Sequence, residues 1–333
     1  MLFVGRHVSK LSGYAPAVPT PFQDNGAVDD AALERFCDLQ VREGATALVV
    51  CGTTGEAPTL SRTEHDRIVR IAVNVARRRV PVIAGAGSNA TSHAIELAKD
   101  AESAGADAIL AVVPYYNKPT QAGMRAHFCE IAGSIDLPII LYDVPSRTGC
   151  ALADETVARL AENPQFLGLK DATADMARPL RLRALVGSEF RLMSGDDHTA
   201  MAFMAVGGNG CISVTSNVAP SLCRRMYLAL RHGQIREAQH FATVIMTLTA
   251  ALFSETNPTP VKYALSLLNV MSARVRLPLT ELGDHSKAEI ASILTYLRER
   301  YADDVLASDR DAEPIVTRQL FPSAQRVSAR WTQ

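Results

Sequence analysis

What the sequence lacks narrows its chemistry before any motif is considered. Its six cysteines, Cys37, Cys51, Cys129, Cys150, Cys211 and Cys223, form no C-x-x-C pair. That leaves neither a zinc-site spacing nor a disulfide frame, and Cys37, Cys51 and Cys211 fall in apolar patterns as small core residues of a reducing, cytoplasmic setting. Its eight histidines include no H-E-x-x-H or other ligand cluster, so nothing supports a metal. No apolar run approaches the roughly 18 residues that a membrane helix needs. The opening Met1-Leu2-Phe3-Val4-Gly5-Arg6-His7 is too short and too soon charged for a signal peptide. A net charge of −1 leaves no basic surplus for nucleic acid or an anionic membrane as the main partner. What remains, 47% hydrophobic and 21% charged over 333 residues, is the balance of a globular chain of one large domain or two.

The apolar residues fall into a repeating order. Short runs at 14–18, 47–51, 80–84, 108–113, 138–142, 166–171, 190–193 and 210–213 read as strands. Helical patterns lie between them. Asp29-Asp30 opens one in which Leu33, Phe36, Cys37 and Val41 share a face, and Gly44 stops it. Ser61-Arg62-Thr63-Glu64 is a capping box ahead of the stripe Ile68, Ile71, Ala72 and Val75. Others start near Thr91, Thr120 and His198, and one lies around 154–161. Strands that are apolar on both faces suit a parallel sheet covered by helices. Eight such units in about 215 residues predict a (β/α)8 TIM barrel over 13–222. Helical patterns at 224–230, 235–253, 261–268 and 287–301 then predict a C-terminal helical domain, 223–302, with an N-terminal extension at 1–12 and a polar tail at 303–333.

The strand at 166–171 organises the rest. Alternation places Phe166, Gly168 and Lys170 on one face and Leu167 and Leu169 on the other, toward the helices. Lys170 then points into a strand-lined interior, one layer above a glycine that leaves room for something small. An amine short of water favours its neutral, nucleophilic form, although a solitary lysine at a strand's end is ordinarily a surface residue. The company it keeps overturns that ordinary reading. Barrel active sites form where strands end and loops begin. At that rim stand Thr53-Thr54, Tyr115-Tyr116, Tyr142, Lys170 and Ser194-Gly195-Asp196-Asp197. Any one has a structural explanation, a rim tyrosine above all, but five in phase do not. Ile140 and Tyr142 face inward, so a phenol and an amine on adjacent strands can meet, which is the minimum for Schiff-base chemistry on a carbonyl.

Gly85-Ala86-Gly87-Ser88-Asn89-Ala90 matches a dinucleotide fingerprint, but Asp107 precedes its strand, whereas a ribose-binding acid sits at the strand's far end. A tight barrel loop is the better use of these glycines. His65, three residues beyond Arg62, reads as a satisfied or exposed side chain.

Five stretches carry a family resemblance: Gly52-Thr53-Thr54-Gly55-Glu56, Pro114-Tyr115-Tyr116-Asn117-Lys118-Pro119, Tyr142-Asp143-Val144-Pro145-Ser146-Arg147-Thr148-Gly149, Gly168-Leu169-Lys170-Asp171-Ala172-Thr173 and Ser194-Gly195-Asp196-Asp197. Over about 12–297 the chain resembles the dihydrodipicolinate synthase family, among the pyruvate-dependent class I aldolases related to N-acetylneuraminate lyase. The resemblance implies condensation of pyruvate with aspartate 4-semialdehyde to 4-hydroxy-tetrahydrodipicolinate, on the route to lysine. It implies no cofactor, because Lys170 forms the imine with pyruvate. Tyr142, Thr53 and Tyr116 match the family's proton relay, with Tyr116 crossing from a neighbouring subunit of a homo-oligomer, a dimer of dimers. Thr54 and the backbone near Ile212 match positions at pyruvate's carboxylate, Gly195 another substrate-binding position, and Arg147 the grip on the semialdehyde's carboxylate.

The chain also departs from the pattern. Asp143 stands where the family usually has Asn, on the outward phase, with little chemical consequence expected. The tail is longer than the family needs. Ala57, Arg62, His65, Asn89, His93 and Tyr115 match the site where many relatives bind inhibitory lysine. His93 replaces a glutamate there and Arg62 a histidine, so the site loses an anion and gains a cation, and weak lysine binding follows. A sister aldolase acting on N-acetylneuraminate or a 2-keto-3-deoxy sugar acid stays open, as does a non-catalytic keto-acid-binding paralogue.

Overall fold

The computed structural model describes Val8 and residues 11–306. Its strands are β1 (Gly13–Pro16), β2 (Leu48–Val50), β3 (Val82–Gly85), β4 (Ala108–Val112), β5 (Ile139–Asp143), β6 (Phe166–Asp171), β7 (Arg191–Ser194) and β8 (Gly210–Ser213). All pair in parallel, in the order β1-β8-β7-β6-β5-β4-β3-β2. A parallel bridge between Ala17 and Val49, with Val18 N donating to Val49 O at 2.8 Å, brings β1 against β2 and closes the ring. This is the (β/α)8 barrel that the spacing of apolar runs predicts.

The two-sided apolar character of the strands now has a location on each side. Ala15, Val49, Ile83, Leu110, Ile140, Met193 and Ile212 fill the barrel, while Leu48, Val50, Ala84, Ile109, Leu141, Leu169 and Leu192 meet the helices. Val8 and Leu11, within the stretch expected as an extension, join the interior cluster and are buried.

The helices are α1 (Asp30–Arg42), α2 (Arg62–Ala76), α3 (Thr91–Ser103), α4 (Gln121–Ala132), α5 (Pro145–Thr148), α6 (Asp154–Ala161), α7 (Arg178–Leu185), α8 (Ala200–Ala205), α9 (Pro220–Arg231), α10 (Ile235–Leu252), α11 (Thr259–Leu267) and α12 (Asp284–Arg300). Asp29 caps α1 by accepting from Ala32 N, and both bonds of the Ser61–Glu64 capping box form at the start of α2. The expected border at 222/223 falls inside α9. Residues 303–306 of the expected tail are anchored: Asp304 accepts from Ser221 Oγ at 2.7 Å, and Leu306 N donates to Val218 O at 2.9 Å. The rest of that tail, 307–333, lies outside the described residues.

One expectation about β6 is corrected. Ile139 pairs with Phe166 but Ile140 pairs with Gly168, so β6 carries one extra residue there. The extra residue reverses the alternation below it. Phe166 therefore joins Leu169 on the helix side, and Leu167 packs against the interior cluster.

Candidate active site

Register alone brings the amine and the phenol together. Tyr142 on β5 is the direct partner of Lys170 on β6, each is 6% exposed, and Lys170 Nζ lies 4.2 Å from the centre of the tyrosine ring. Gly195, just past β7, borders the lysine stem: a Cβ there would sit 3.0 Å from Lys170 Cε and 3.0 Å from Ala172 Cβ. Ile212 lies in the same interior cluster as Tyr142. Gly168 serves differently from expectation. A Cβ at that position would come within 2.2 Å of Arg191 O, so the space it leaves is taken by the backbone of β7 rather than by a small molecule.

Thr53 and Thr54 stand on the loop that follows β2, Thr53 half-buried and Thr54 buried. The loop is bounded by two non-glycine residues in the left-handed region, Cys51 and Glu56, each with φ of 55°. Gly85 lets β3 approach it, since a Cβ there would lie 2.1 Å from Cys51 O. Gly87 likewise admits Val112 N within 2.4 Å of its missing Cβ. Close backbone approach thus accounts for both glycines of the fingerprint-like stretch, and Asp107 accepts from Val82 N at the opposite end of the strands.

Sequence reasoning missed what holds that loop from outside. Asn257 Nδ2 donates to Thr54 Oγ1 at 2.9 Å, and Lys262 Nζ pairs with Glu56 Oε1 at 2.8 Å. Arg276 N donates to the other Glu56 oxygen at 2.9 Å, and Thr20 Oγ1 to Gly55 O at 2.7 Å. Lys262 is fully buried, and burial draws its pKa down to about 8 while Glu56 pulls the other way. At neutral pH it keeps its proton. Glu56 alone held a clue, because an acid inside a glycine-threonine turn needs a cation to be buried.

Arg147 lies on α5 and Tyr115-Tyr116 on the loop after β4, all at the same rim. Arg147 is exposed, Tyr115 is 37% exposed, and Tyr116, at φ 71°, is 88% exposed. Asp143 faces outward as expected, but its consequence is larger than expected. It is fully buried, accepts from Arg178 Nη1 at 2.8 Å and from Leu152 N at 3.1 Å. Arg178 also donates to Leu152 O and to Asp154. The pair therefore fixes the segment that carries Arg147. Burial pushes the Asp143 carboxyl up, and Arg178 opposes it.

The second expected site requires a correction to its charge count. Arg62 is not an unopposed cation: Nη2 donates to Asp100 Oδ1 at 2.8 Å, and Glu96 lies 3.8 Å from Nη1. Glu96 is also 3.5 Å from His93 Nδ1. His65 is buried with Nε2 at 2.7 Å from Gly85 O, and burial lowers its pKa. Asn89 offers its carbonyl to Asn117 Nδ2, and Ala57 opens a half-buried turn nearby.

Comparison with known proteins gives one consistent answer. The model of the Dihydrodipicolinate synthetase family matches residues 10–297. The 4-hydroxy-tetrahydrodipicolinate synthase of Acidiphilium cryptum is 52% identical over 285 residues, covering 86% of this chain and 98% of its own. That of Gluconacetobacter diazotrophicus is 46% identical, covering 86% and 96%. Among solved structures, the 4-hydroxy-tetrahydrodipicolinate synthase of Methylacidiphilum fumariolicum superposes with a TM-score of 0.86 at 38% identity, over 88% of this chain and 98% of its own. The Acinetobacter baumannii dihydrodipicolinate synthase complexed with pyruvate gives 0.83 at 41%, over 85% and 98%. With its barrel, its rim residues and these matches in agreement, the chain belongs to the dihydrodipicolinate synthetase family.

Proposed function

We propose that this chain condenses pyruvate with aspartate 4-semialdehyde to give 4-hydroxy-tetrahydrodipicolinate. The observation that carries the reading is a buried amine 4.2 Å from a buried tyrosine ring, on adjacent barrel strands of a family member. The Lys170 amine attacks C2 of pyruvate and water leaves, giving a cationic imine that acidifies C3. Loss of a C3 proton yields an enamine, whose carbon attacks the aldehyde carbon while the aldehyde oxygen takes up a proton. The amino group of the semialdehyde then attacks the imine carbon, closing the ring and releasing Lys170. The imine supplies the electron sink, so the reaction calls for no cofactor.

Tyr142, Thr53 and Tyr116 carry the protons. The 88% exposure of Tyr116 in one chain suits a residue that completes a neighbour's site, in a homo-oligomer built as a dimer of dimers. Thr54, Gly195 and the backbone at Ile212 bind pyruvate, and Arg147 grips the semialdehyde's carboxylate. A reducing, cytoplasmic setting suits the six free cysteines. The test is turnover with pyruvate against two acceptors. Aspartate 4-semialdehyde is expected to react faster than N-acetylmannosamine; the reverse order transfers the chain to a sister aldolase.

Lysine regulation forms the finer part of the proposal. With Arg62 met by Asp100, weak lysine binding now rests on His93 alone. Loss of the glutamate's charged hydrogen bond costs about 1.5–3 kcal/mol, so half-inhibition is expected only above about a millimolar lysine. Inhibition well below that concentration means that Glu96, beside His93, has taken the glutamate's place.

A further inference from the structure

We propose that Asn257 is a positioning residue for keto-acid binding: its amide donates to the Thr54 hydroxyl and so commits that hydroxyl's own proton to the keto-acid carboxylate. The inference rests on the reading of Thr54 given above. A threonine hydroxyl has one proton and two lone pairs. Thr54 is 3% exposed and Asn257 6%, so bulk water does not compete for either. Asn257 Nδ2 occupies the Thr54 oxygen at 2.9 Å, which leaves the O–H free to donate. The Asn257 Oδ1 atom, the other end of the amide, is buried with no partner among the described residues.

Thr54 is also held in place along the chain. Gly55 is tied to Thr20, and Glu56 is tied to both Lys262 and Arg276 N. Asn257 stands just ahead of α11, the helix that carries Lys262. One element therefore sets the loop's position through Lys262 and the polarity of its hydroxyl through Asn257.

The decisive variant is Asn257→Asp, which keeps the shape but presents only acceptors. The Thr54 proton then turns toward residue 257, away from the substrate, and a carboxylate is added beside the keto acid's own. The readout is the pyruvate concentration that gives half-maximal borohydride trapping on Lys170, with the KM for the semialdehyde and the Tm measured alongside. Thr54→Val is expected to raise that concentration roughly 10- to 150-fold, the loss of a hydrogen bond to a charged group. Asn257→Asp is expected to raise it at least roughly 10-fold, and Asn257→Ala roughly 2- to 10-fold. In the Thr54→Val background, Asn257→Ala is expected to add almost nothing. If Thr54→Val has no effect, the underlying reading of Thr54 fails and takes the inference with it. If Thr54→Val acts while the Asn257 variants lower only the Tm, Asn257 is merely structural and the inference alone is overturned. Should Asn257→Asp not fold, the alanine variant and its double-mutant cycle decide in the same terms.

Discussion

Two lysines in this protein are buried against an aromatic ring at the same distance and differ in what else they meet. Lys170 Nζ lies 4.2 Å from the Tyr142 ring, and Lys262 Nζ lies 4.2 Å from the Phe22 ring. Lys262 is also paired with Glu56 at 2.8 Å, whereas among the described residues Lys170 has no ion pair. A carboxylate at that distance in a dry site occupies the amine as its ion-pair partner and pulls its pKa up against the lowering by burial. An aromatic face stabilises the cation by only about 0.5–2 kcal/mol and leaves the amine approachable. Burial is thus common to both, and the carboxylate separates a structural lysine from a candidate nucleophile.

The largest effects come from breaking the Lys170 side of that comparison. Lys170→Ala is expected to remove nearly all activity, and Tyr142→Phe to lower kcat by about 10²–10⁴-fold, as for a positioned acid–base. An active Lys170→Ala enzyme ends the comparison. On the other side, Lys262→Met leaves Glu56 buried without its cation and is expected to cost about 3–5 kcal/mol in urea unfolding. Adding Glu56→Gln should return part of that loss, and no recovery means that the pair is not what holds the loop.

Smaller changes sharpen the picture around these two sites. Arg147→Ala is expected to cost semialdehyde use about 1.5–3 kcal/mol, or roughly 10- to 150-fold in kcat/KM, while imine formation with pyruvate survives. Equal loss of both means that Arg147 serves pyruvate. Beside Lys262, Arg276 bonds Glu64 and holds its pKa near 2, well below the ordinary 4.5. A folded pKa below the unfolded one stabilises above pH 4.5, and that stability drains away as pH falls toward 2. Glu64→Gln is expected to flatten the acid limb of stability by about 1–3 kcal/mol. An unchanged acid limb places the stabilisation elsewhere.

The parts of this molecule legible in its sequence are those with local or periodic causes. Barrel strands covered on both faces are apolar on both faces, so all eight stand out, and Ser61 with Glu64 announces α2. Lys170 and Tyr142 could be brought together because alternation above the irregular pair is regular. Below it, the extra residue in β6 is a property of pairing with β5, and Phe166 shows no local sign of it. Glu56 and Lys262 are 206 residues apart, and Glu56 and Arg276 N are 220 apart. No spacing rule connects such partners, so the anchoring of the loop that carries Thr53 and Thr54 by α11 and the segment after it emerges only from the packed structure. The same holds for Asp100, which neutralises Arg62 from the next helix.

Borohydride reduction in the presence of pyruvate, followed by mass mapping of every lysine, tests the contrast between the two buried amines most directly. A reduced pyruvoyl adduct on Lys170 and none on Lys262 is the predicted result. An adduct on Lys262, or no adduct on any lysine, contradicts the account.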